Sequence, residues 1–170
     1  MTPDLILGAV FLVLALTFPV LFHLVHLGST FLPLFFPIAL AGLLVRPGVA
    51  ATVGLLAPIL SGVLTGMPPF YPPIAPQMAA EGAVLGGSIA LLRRHWGFGV
   101  VGSLVGGILA QRVVLAALVF LIAPLFHLPP GIYTGAKIVS GIPGLILQLV
   151  GIPPLVKLLE PRIRQMWEVA

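Results

Sequence analysis

The chain has 170 residues, of which 59% are hydrophobic and 7% are charged, and its mean hydropathy is +1.22. About a quarter of the residues in a soluble domain are charged, so four acidic and eight basic residues are too few to cover a water-facing surface. These values exclude a soluble enzyme, a disordered protein and a nucleic-acid binder, the last despite a pI near 10.4. The lack of cysteine excludes a disulfide scaffold, a thiol nucleophile and a thiolate metal site. The composition therefore predicts an integral membrane protein.

Long apolar runs, separated by glycines, prolines and charges, predict an all-α membrane protein with six transmembrane helices. A helix needs about 20 residues to cross about 30 Å of hydrocarbon, so the chain has room for about six. The predicted spans are 5–27, 31–45, 49–64, 76–92, 98–126 and 132–159, with a tail over 160–170. The runs are continuous and do not alternate at period two, which argues against a β-barrel. Residues 1–170 are predicted to form a single transmembrane domain.

The basic residues predict the orientation of these spans. In a six-span arrangement with a cytoplasmic N-terminus, six of the eight bases fall on the cytoplasmic side: Arg46, Arg93, Arg94, Lys157, Arg162 and Arg164. The three outer loops contain no Lys or Arg. Cytoplasmic loops of membrane proteins are enriched in these residues. The asymmetry therefore predicts six spans with both termini in the cytoplasm.

Small residues indicate how the helices pack. Membrane helices associate where small side chains let two backbones approach closely. Two predicted helices carry such residues at spacings of four: Gly82, Gly86 and Ala90 in the fourth, and Gly99, Ser103 and Gly107, beside Gly102, Gly106 and Ala110, in the fifth. We therefore expect the fourth and fifth helices to be central and tightly packed.

Three charged residues fall well inside the predicted spans, away from their ends: Glu81, Arg112 and Lys137. A charge at the bilayer centre costs about 2.5–3.5 kcal/mol on the lenient insertion scale, so each should face a partner or a wet cavity. With a rise of about 1.5 Å per residue, Glu81 and Lys137 lie roughly 8 Å below the outer ends of their helices. Arg112 lies near the middle of its helix. The three side chains are predicted to point to one volume in the outer half of the bundle.

Uncharged polar residues accompany these charges on the same three helices: Gln77, Ser88, Gln111, Thr134 and Gln148. One interpretation is a solute pocket that opens outward, in which two cations against one anion favour an anionic or carboxylate-bearing ligand. The other is a structural ion pair of Glu81 with Lys137 or Arg112, which leaves one base over. Gln148 fits an interhelical hydrogen bond better than a ligand contact.

The loops at the outer side offer further candidates. His23, His26 and His127 lie at the outer ends of the first and fifth spans, where they fit a pocket cap or a metal site. Because their spacing is not that of metal ligands, we expect no metal, and we place only His26 at the pocket. Phe70 and Tyr71 lie in a proline-rich loop and fit either an aromatic lid or interfacial anchors. Prolines would lower the entropy lost when such a lid closes.

Catalysis has little support in the sequence. A serine nucleophile needs a histidine in reach, and spans three to six, which contain Ser61 and Ser140, have no histidine except at the outer lip. Paired carboxylates, a Gly-Lys-Ser/Thr phosphate loop and metal-binding repeats are also absent from the sequence. We therefore expect no catalytic residues, no cofactor and no ATP hydrolysis by this chain.

Four motifs follow one another along the chain: Phe31-Leu32-Pro33 with Pro37, Leu60-Ser61-Gly62-Val63-Leu64-Thr65-Gly66-Met67-Pro68-Pro69, Lys137-Ile138-Val139-Ser140-Gly141-Ile142-Pro143-Gly144 with Gln148, and Lys157-Leu158-Leu159-Glu160. Together they extend over nearly the whole chain. Their order resembles that of the substrate-binding (S) components of energy-coupling factor (ECF) transporters. The second and third motifs are the most specific part of this resemblance.

The resemblance implies six helices, a cytoplasmic N-terminus and an outward pocket for a vitamin or related micronutrient, in the plasma membrane of a prokaryote. It also implies three partner subunits, namely a membrane scaffold (T) subunit and two ATPase (A) subunits that supply ATP hydrolysis. In this family the loops after spans one and three, here 23–30 and 66–75, close over the ligand. The whole S component then tips within the membrane and releases the solute inward.

The family's first helix often carries an Ala-xxx-Ala motif that docks on the scaffold subunit. Here Ala9 is followed by Val13 at that spacing, so the motif is incomplete. The resemblance therefore implies a substitute docking surface made by Gly8, Ala9 and Ala15.

Two other functions compete with this interpretation. The first is a stand-alone membrane carrier or small channel that uses Glu81, Arg112 and Lys137 as a relay. The second is an intramembrane enzyme whose nucleophile is Ser61 or Ser140. The sequence does not identify the solute itself, because specificity depends on the shape of the pocket.

Overall fold

The computed structural model describes residues 3–24, 33–125 and 141–168. These residues form six α-helices: α1 (Pro3–Leu24), α2 (Phe35–Leu44), α3 (Pro47–Thr65), α4 (Ile74–Arg94), α5 (Val100–Leu125) and α6 (Ile142–Glu168). Turns connect α2 with α3 and α4 with α5, and the described residues contain no strand. The all-α prediction is confirmed for this part of the chain.

Four of the described helices are long and apolar enough to cross a membrane. These segments are Pro3–Phe22, Pro47–Thr65, Val100–Phe120 and Ile142–Ile163. Helix α2 is apolar but has only ten residues, or about 15 Å. Helix α4 has 21 residues but carries one glutamine, one glutamate, two arginines and three glycines. The chain is thus compatible with a membrane protein, while the count of six crossings and the cytoplasmic termini stay predictions.

The ends of the helices differ from the predicted ones in two places. Helix α2 begins at Phe35, not at 31, and Pro37 lies in its first turn, where a missing N–H costs nothing. Helix α6 continues through Pro161 to Glu168, so the segment predicted as a tail after the last span is helical up to residue 168. Pro161 removes one hydrogen bond, but it lies at an exposed position, where solvent can pair the freed carbonyl. The predicted first part of span six, 132–140, lies outside the described residues.

The short helix α2 occupies the centre of the bundle. Nine of its ten residues are buried, and it contacts each of the other five helices. The sequence predicted that the fourth and fifth helices would be central. Helix α4 does pack against α2, α3 and α5. Helix α5, in contrast, turns one face outward, where Val101, Leu109 and Val113 are exposed, so its predicted central position is wrong.

Glycines bring α4 into direct backbone contact with α3. A Cβ added to Gly54 of α3 would overlap the backbone of Gly82, and a Cβ on Gly82 would overlap Gly54. One turn further along α4, a Cβ on Gly86 would lie 2.6 Å from the carbonyl oxygen of Ala50. The predicted small-residue face of the fourth helix is confirmed as a packing surface, and α3 is its closest partner.

Charged residues at one end of the bundle join the helix ends there. Asp4 is fully buried and accepts a hydrogen bond from the backbone N–H of Arg46 at 3.1 Å. The Arg46 Nε lies 2.7 Å from Asp4 Oδ2, without hydrogen-bond alignment, and Arg94 Nη2 lies 4.0 Å from Oδ1. Arg93 Nη2 donates to both carboxylate oxygens of Glu160, at 3.1 and 3.0 Å. We call this region, defined by these five residues, the basic end.

The contacts at the basic end show which way five of the helices run. Helices α1 and α3 begin there, and α4 ends there. Helix α5 also starts there, because Phe98 N–H donates to the carbonyl of Leu92. Helix α6 runs towards it, since Glu160 pairs with Arg93. The loop between α3 and α4 therefore lies at the opposite end of the bundle.

The contact between Gly54 and Gly82 gives a first prediction. Gly54→Ala places a Cβ against backbone atoms that cannot turn aside, and overpacking of this kind costs about 1–3 kcal/mol. We expect a lower midpoint of thermal unfolding in detergent, followed by circular dichroism. Gly48→Ala is the matched control in the same helix, because a Cβ there meets nothing within 4 Å. An unchanged midpoint for Gly54→Ala would contradict the close α3–α4 contact.

Candidate functional site

The candidate site is centred on Glu81 of α4. Gln77 lies one helical turn before Glu81, so the two side chains share a face, and Gln77 Nε2 donates to Glu81 Oε1 at 3.0 Å. Gln111 comes from the neighbouring helix α5 and donates its Nε2 to Oε2 of the same carboxylate at 3.3 Å. Both carboxylate oxygens thus accept an amide hydrogen bond. We call Gln77, Glu81 and Gln111 the Glu81 cluster.

The Glu81 cluster is deeply buried. Glu81 is 4% exposed, and the two glutamines are no more exposed than 2%. An ionised carboxylate loses its hydration at such a position and needs donors in its place. The two amides supply them, because a hydrogen bond to a charged group stabilises more than one between neutral groups. The local structure is therefore built to hold a carboxylate away from bulk water.

Four buried polar atoms have no hydrogen-bond partner among the described residues. One is Oδ2 of Asp4 at the basic end, and the other three are Oε1 of Gln77, Nη2 of Arg112 and Oε1 of Gln148. Leaving such a group unpaired costs about 1–3 kcal/mol, so buried polar groups are nearly always bonded to protein, water or a ligand. The amide nitrogen of Gln77 thus donates to Glu81, and its amide oxygen is left to accept a hydrogen bond from a further partner.

Apolar residues close the bundle on the side of the Glu81 cluster that faces the basic end. Leu85 follows Glu81 by one turn and is fully buried, as is Leu104 of α5. Helices α4 and α5 meet closely there, since a Cβ on Gly107 would lie 3.3 Å from the carbonyl oxygen of Leu85. Ile152 of α6 is fully buried in the same core cluster as Leu85 and Leu104. This apolar floor separates the Glu81 cluster from the basic end.

The loop between α3 and α4 is fastened to the end of α3. Gly66 ends the helix with a left-handed φ of 73°, and its N–H bonds to the carbonyl of Gly62 at 3.0 Å. Ser61 Oγ donates to the carbonyl of Met67 at 2.7 Å, and the N–H of Met67 donates to Thr65 Oγ1 at 3.3 Å. Sequence reasoning considered Ser61 only as a nucleophile and missed this role. The signal available was a hydroxyl pair one turn apart just before the glycine that ends the helix.

The two aromatic residues of this loop differ in their surroundings. The Phe70 ring packs over Gly62, where a Cβ would lie 2.9 Å from the ring edge. Tyr71 is 77% exposed. Phe70 thus packs against the end of α3, while 46% of the residue remains exposed. The prediction that both residues lie at a pocket stays a prediction.

Several predicted site residues lie outside the described residues. They are His26, Thr134 and Lys137, together with His127 and Ser140. Of the three charges predicted well inside the spans, the structure therefore describes Glu81 and Arg112. Arg112 is half-buried on α5, next to Gln111 in the chain. The structure brings together Gln77, Glu81 and Gln111, all of which the sequence predicted for the pocket.

The predicted docking residues lie in different environments. Gly8 and Ala9 line an apolar groove of about 280 Å³ between α1 and α3, near the basic end and away from the Glu81 cluster. The other lining residues are Leu5, Leu12, Gly48, Val49, Thr52, Val53 and Leu56. Ala15 is fully buried in the main core. Its methyl group packs inside this chain, so Ala15 is corrected from a docking residue to a core residue.

The described residues contain no group of three or more metal-ligating side chains. Comparison with known protein families, curated proteins and solved structures gives no match. The site is therefore interpreted from its own geometry.

The pairing of Glu81 gives a second prediction. Gln111→Leu leaves Oε2 of a buried carboxylate without its described donor, which should cost about 1.5–3 kcal/mol. Adding Glu81→Leu removes the buried charge, so the double variant should be more stable than Gln111→Leu alone. The measurement is the unfolding midpoint in detergent. Gln165→Leu, at an exposed position, should change little. A double variant less stable than the single one would contradict the pairing.

Proposed function

We propose that this chain is the substrate-binding (S) subunit of an ECF-type importer in a prokaryotic plasma membrane. It binds a small micronutrient with a carboxylate or another anionic group from outside the cell. A membrane scaffold subunit and two ATPase subunits then drive its delivery to the cytoplasm. This chain hydrolyses no ATP and supplies only recognition.

The observation that carries this proposal is the pair of buried, unpartnered polar atoms on Gln77 and Arg112. The carboxylate itself is held by Gln77 and Gln111, whereas Gln77 Oε1 and Arg112 Nη2 are buried without a partner among the described residues. A purely structural cluster would use its polar atoms within itself. Spare acceptors and donors at membrane depth instead fit a site whose missing partner is a solute.

Charge favours an anionic solute. Glu81 is the single acidic residue predicted well inside the spans, and Arg112 and Lys137 are the two basic ones. If either basic residue pairs with Glu81, the other is left to bind an anion. A guanidinium such as that of Arg112 binds a carboxylate with strong charge-assisted hydrogen bonds. The sequence resemblance to S components agrees with a carboxylate-bearing micronutrient.

The apolar floor bears on how the solute leaves. Buried leucines and isoleucines fill the described bundle between the Glu81 cluster and the basic end, and the basic end is the cytoplasmic one if Arg and Lys mark that side. A channel needs an open path through this region. A filled floor fits better with a subunit that moves as a whole to release its solute.

The groove between α1 and α3 is our candidate for the surface that binds the scaffold subunit. Its small residues Gly8, Ala9 and Gly48 allow a neighbouring helix to approach closely, as membrane helices do at small side chains. The groove therefore supports the proposal of a substitute docking surface in place of the incomplete Ala-xxx-Ala motif.

Solute binding is tested with Arg112→Gln. Loss of a charge-assisted hydrogen bond of about 1.5–3 kcal/mol should weaken binding about 10- to 150-fold. Native mass spectrometry of the purified protein should show a small molecule on the wild type that is depleted in the variant. Arg162→Gln, exposed on α6, is the matched control and should keep it. Equal occupancy in both variants would remove Arg112 from the site.

Association with partners is tested at the groove. Ala9→Trp should fill the space between α1 and α3 and abolish co-purification of the scaffold and ATPase subunits from the native membrane. Ile6→Trp, on an exposed part of α1 outside the groove, should leave it intact. Solute transport by the chain reconstituted alone, without partners, would instead identify a stand-alone carrier.

A further inference from the structure

We infer that Gln148 of α6 belongs to the same binding site, and that the bound solute carries N–H or O–H donors as well as an anionic group. The donors of the solute hydrogen-bond to the amide oxygens of Gln77 and Gln148, and its anionic group pairs with Arg112. This inference rests on the proposed function and adds to it a third helix and a second element of recognition. The sequence favoured an interhelical hydrogen bond over a ligand contact for Gln148.

The ion pair at the basic end places Gln148 at the level of Glu81. Arg93 of α4 and Glu160 of α6 are in contact, and both helices run towards the basic end. Glu81 precedes Arg93 by twelve residues, and Gln148 precedes Glu160 by twelve residues. At about 1.5 Å per residue, each lies about 18 Å from that ion pair. The two side chains are therefore at the same depth in the bundle.

Burial shows which way Gln148 faces. It is 1% exposed, whereas Val150, two residues on, is 70% exposed. Ile152, one turn further along the same face of α6, is fully buried in the main core. Gln148 therefore points into the bundle, at the level where α4 and α5 present the Glu81 cluster. Helix α6 contacts α5 as well as α2, so these side chains face a common interior.

The unpaired atoms at this level define the chemistry of the guest. Oε1 of Gln77 and Oε1 of Gln148 can only accept hydrogen bonds, and Nη2 of Arg112 can only donate. A plain carboxylate would pair with Arg112 and leave both amide oxygens without a partner. A solute with an amide, amine or ring N–H in addition to its anionic group satisfies all three. The site thus selects for a small anion that also carries donors.

The cysteine-free chain allows a direct test with thiol reagents. In Gln148→Cys, the thiolate attacks the thiosulfonate sulfur of a methanethiosulfonate reagent, forms a mixed disulfide and releases methanesulfinate. The reaction needs a thiolate in contact with water. We compare the anionic sulfonatoethyl reagent with the cationic trimethylammonium-ethyl reagent on the full chain in lipid nanodiscs. Labelling is followed by intact mass.

We expect the sulfonate reagent to label Gln148→Cys at least about tenfold faster than the cationic reagent, because of the Arg112 charge. Ile152→Cys, one turn towards the basic end, should react with neither. If Gln148→Cys does not fold, Gln77→Cys on α4 replaces it, and the sulfonate reagent should again label faster than the cationic one. Labelling of the glutamine positions as slow as at Ile152→Cys would overturn the shared site, and faster labelling by the cation would overturn the anionic preference.

The donor requirement is tested by protection. Malonamate carries a carboxylate and an amide NH₂, whereas butyrate has a similar size and no donor. Malonamate should slow labelling of Gln148→Cys more than butyrate does. Equal effects, or none from either, would overturn the solute class. Partner association at the Ala9 groove is independent of these results, so labelling without co-purified ATPases would reject the importer and leave the solute site in place.

Discussion

A carboxylate inside a helix bundle of membrane length survives only where side chains replace its lost water. Glu81 meets this condition through one donor from its own helix and one from α5. The requirement fixes the rotation of α4, so that Gln77 and Glu81 face inward together, and it fixes α5 against α4 at Gln111. Much of the architecture around the site follows from this one interaction. The chain keeps a costly group at depth because its neighbours are arranged to hold it.

Small side chains provide the framework that holds this arrangement in place. Gly54 and Gly82 bring α3 and α4 into backbone contact, and Gly42 of α2 lies against α4, where a Cβ would sit 2.9 Å from the Gly86 carbonyl oxygen. Because lipid tails offer no hydrophobic force between helices, such close packing is the main source of association. It also explains why α4, the least apolar of the long helices, lies inside. Its glycines and its polar residues are both shielded there.

The sequence predicted a good part of this structure. Continuous apolar runs located all six helices, and spacings of four identified Gln77 with Glu81 and Gly82 with Gly86, because helical neighbours recur at that interval. It did not predict that α2, the shortest helix, would be central, since its ten apolar residues look the same whether lipid or protein surrounds them. The sequence also did not predict that α6 continues through Pro161, where exposure makes the broken hydrogen bond inexpensive. Ala15 was misplaced because composition does not tell a lipid-facing alanine from a buried one.

The glycine contact between α3 and α4 has a consequence for motion. Two helices whose backbones touch at Gly54 and Gly82, and whose connecting loop is tied down by Ser61 and Thr65, behave as one stiff hairpin. Any opening of the interior must then occur along the other side of α4. There, the longer of the two glutamine bonds, from Gln111 to Glu81, joins that hairpin to α5. Under the proposed function, the solute would enter or leave by parting this seam, and Glu81 would stay with Gln77 on the hairpin.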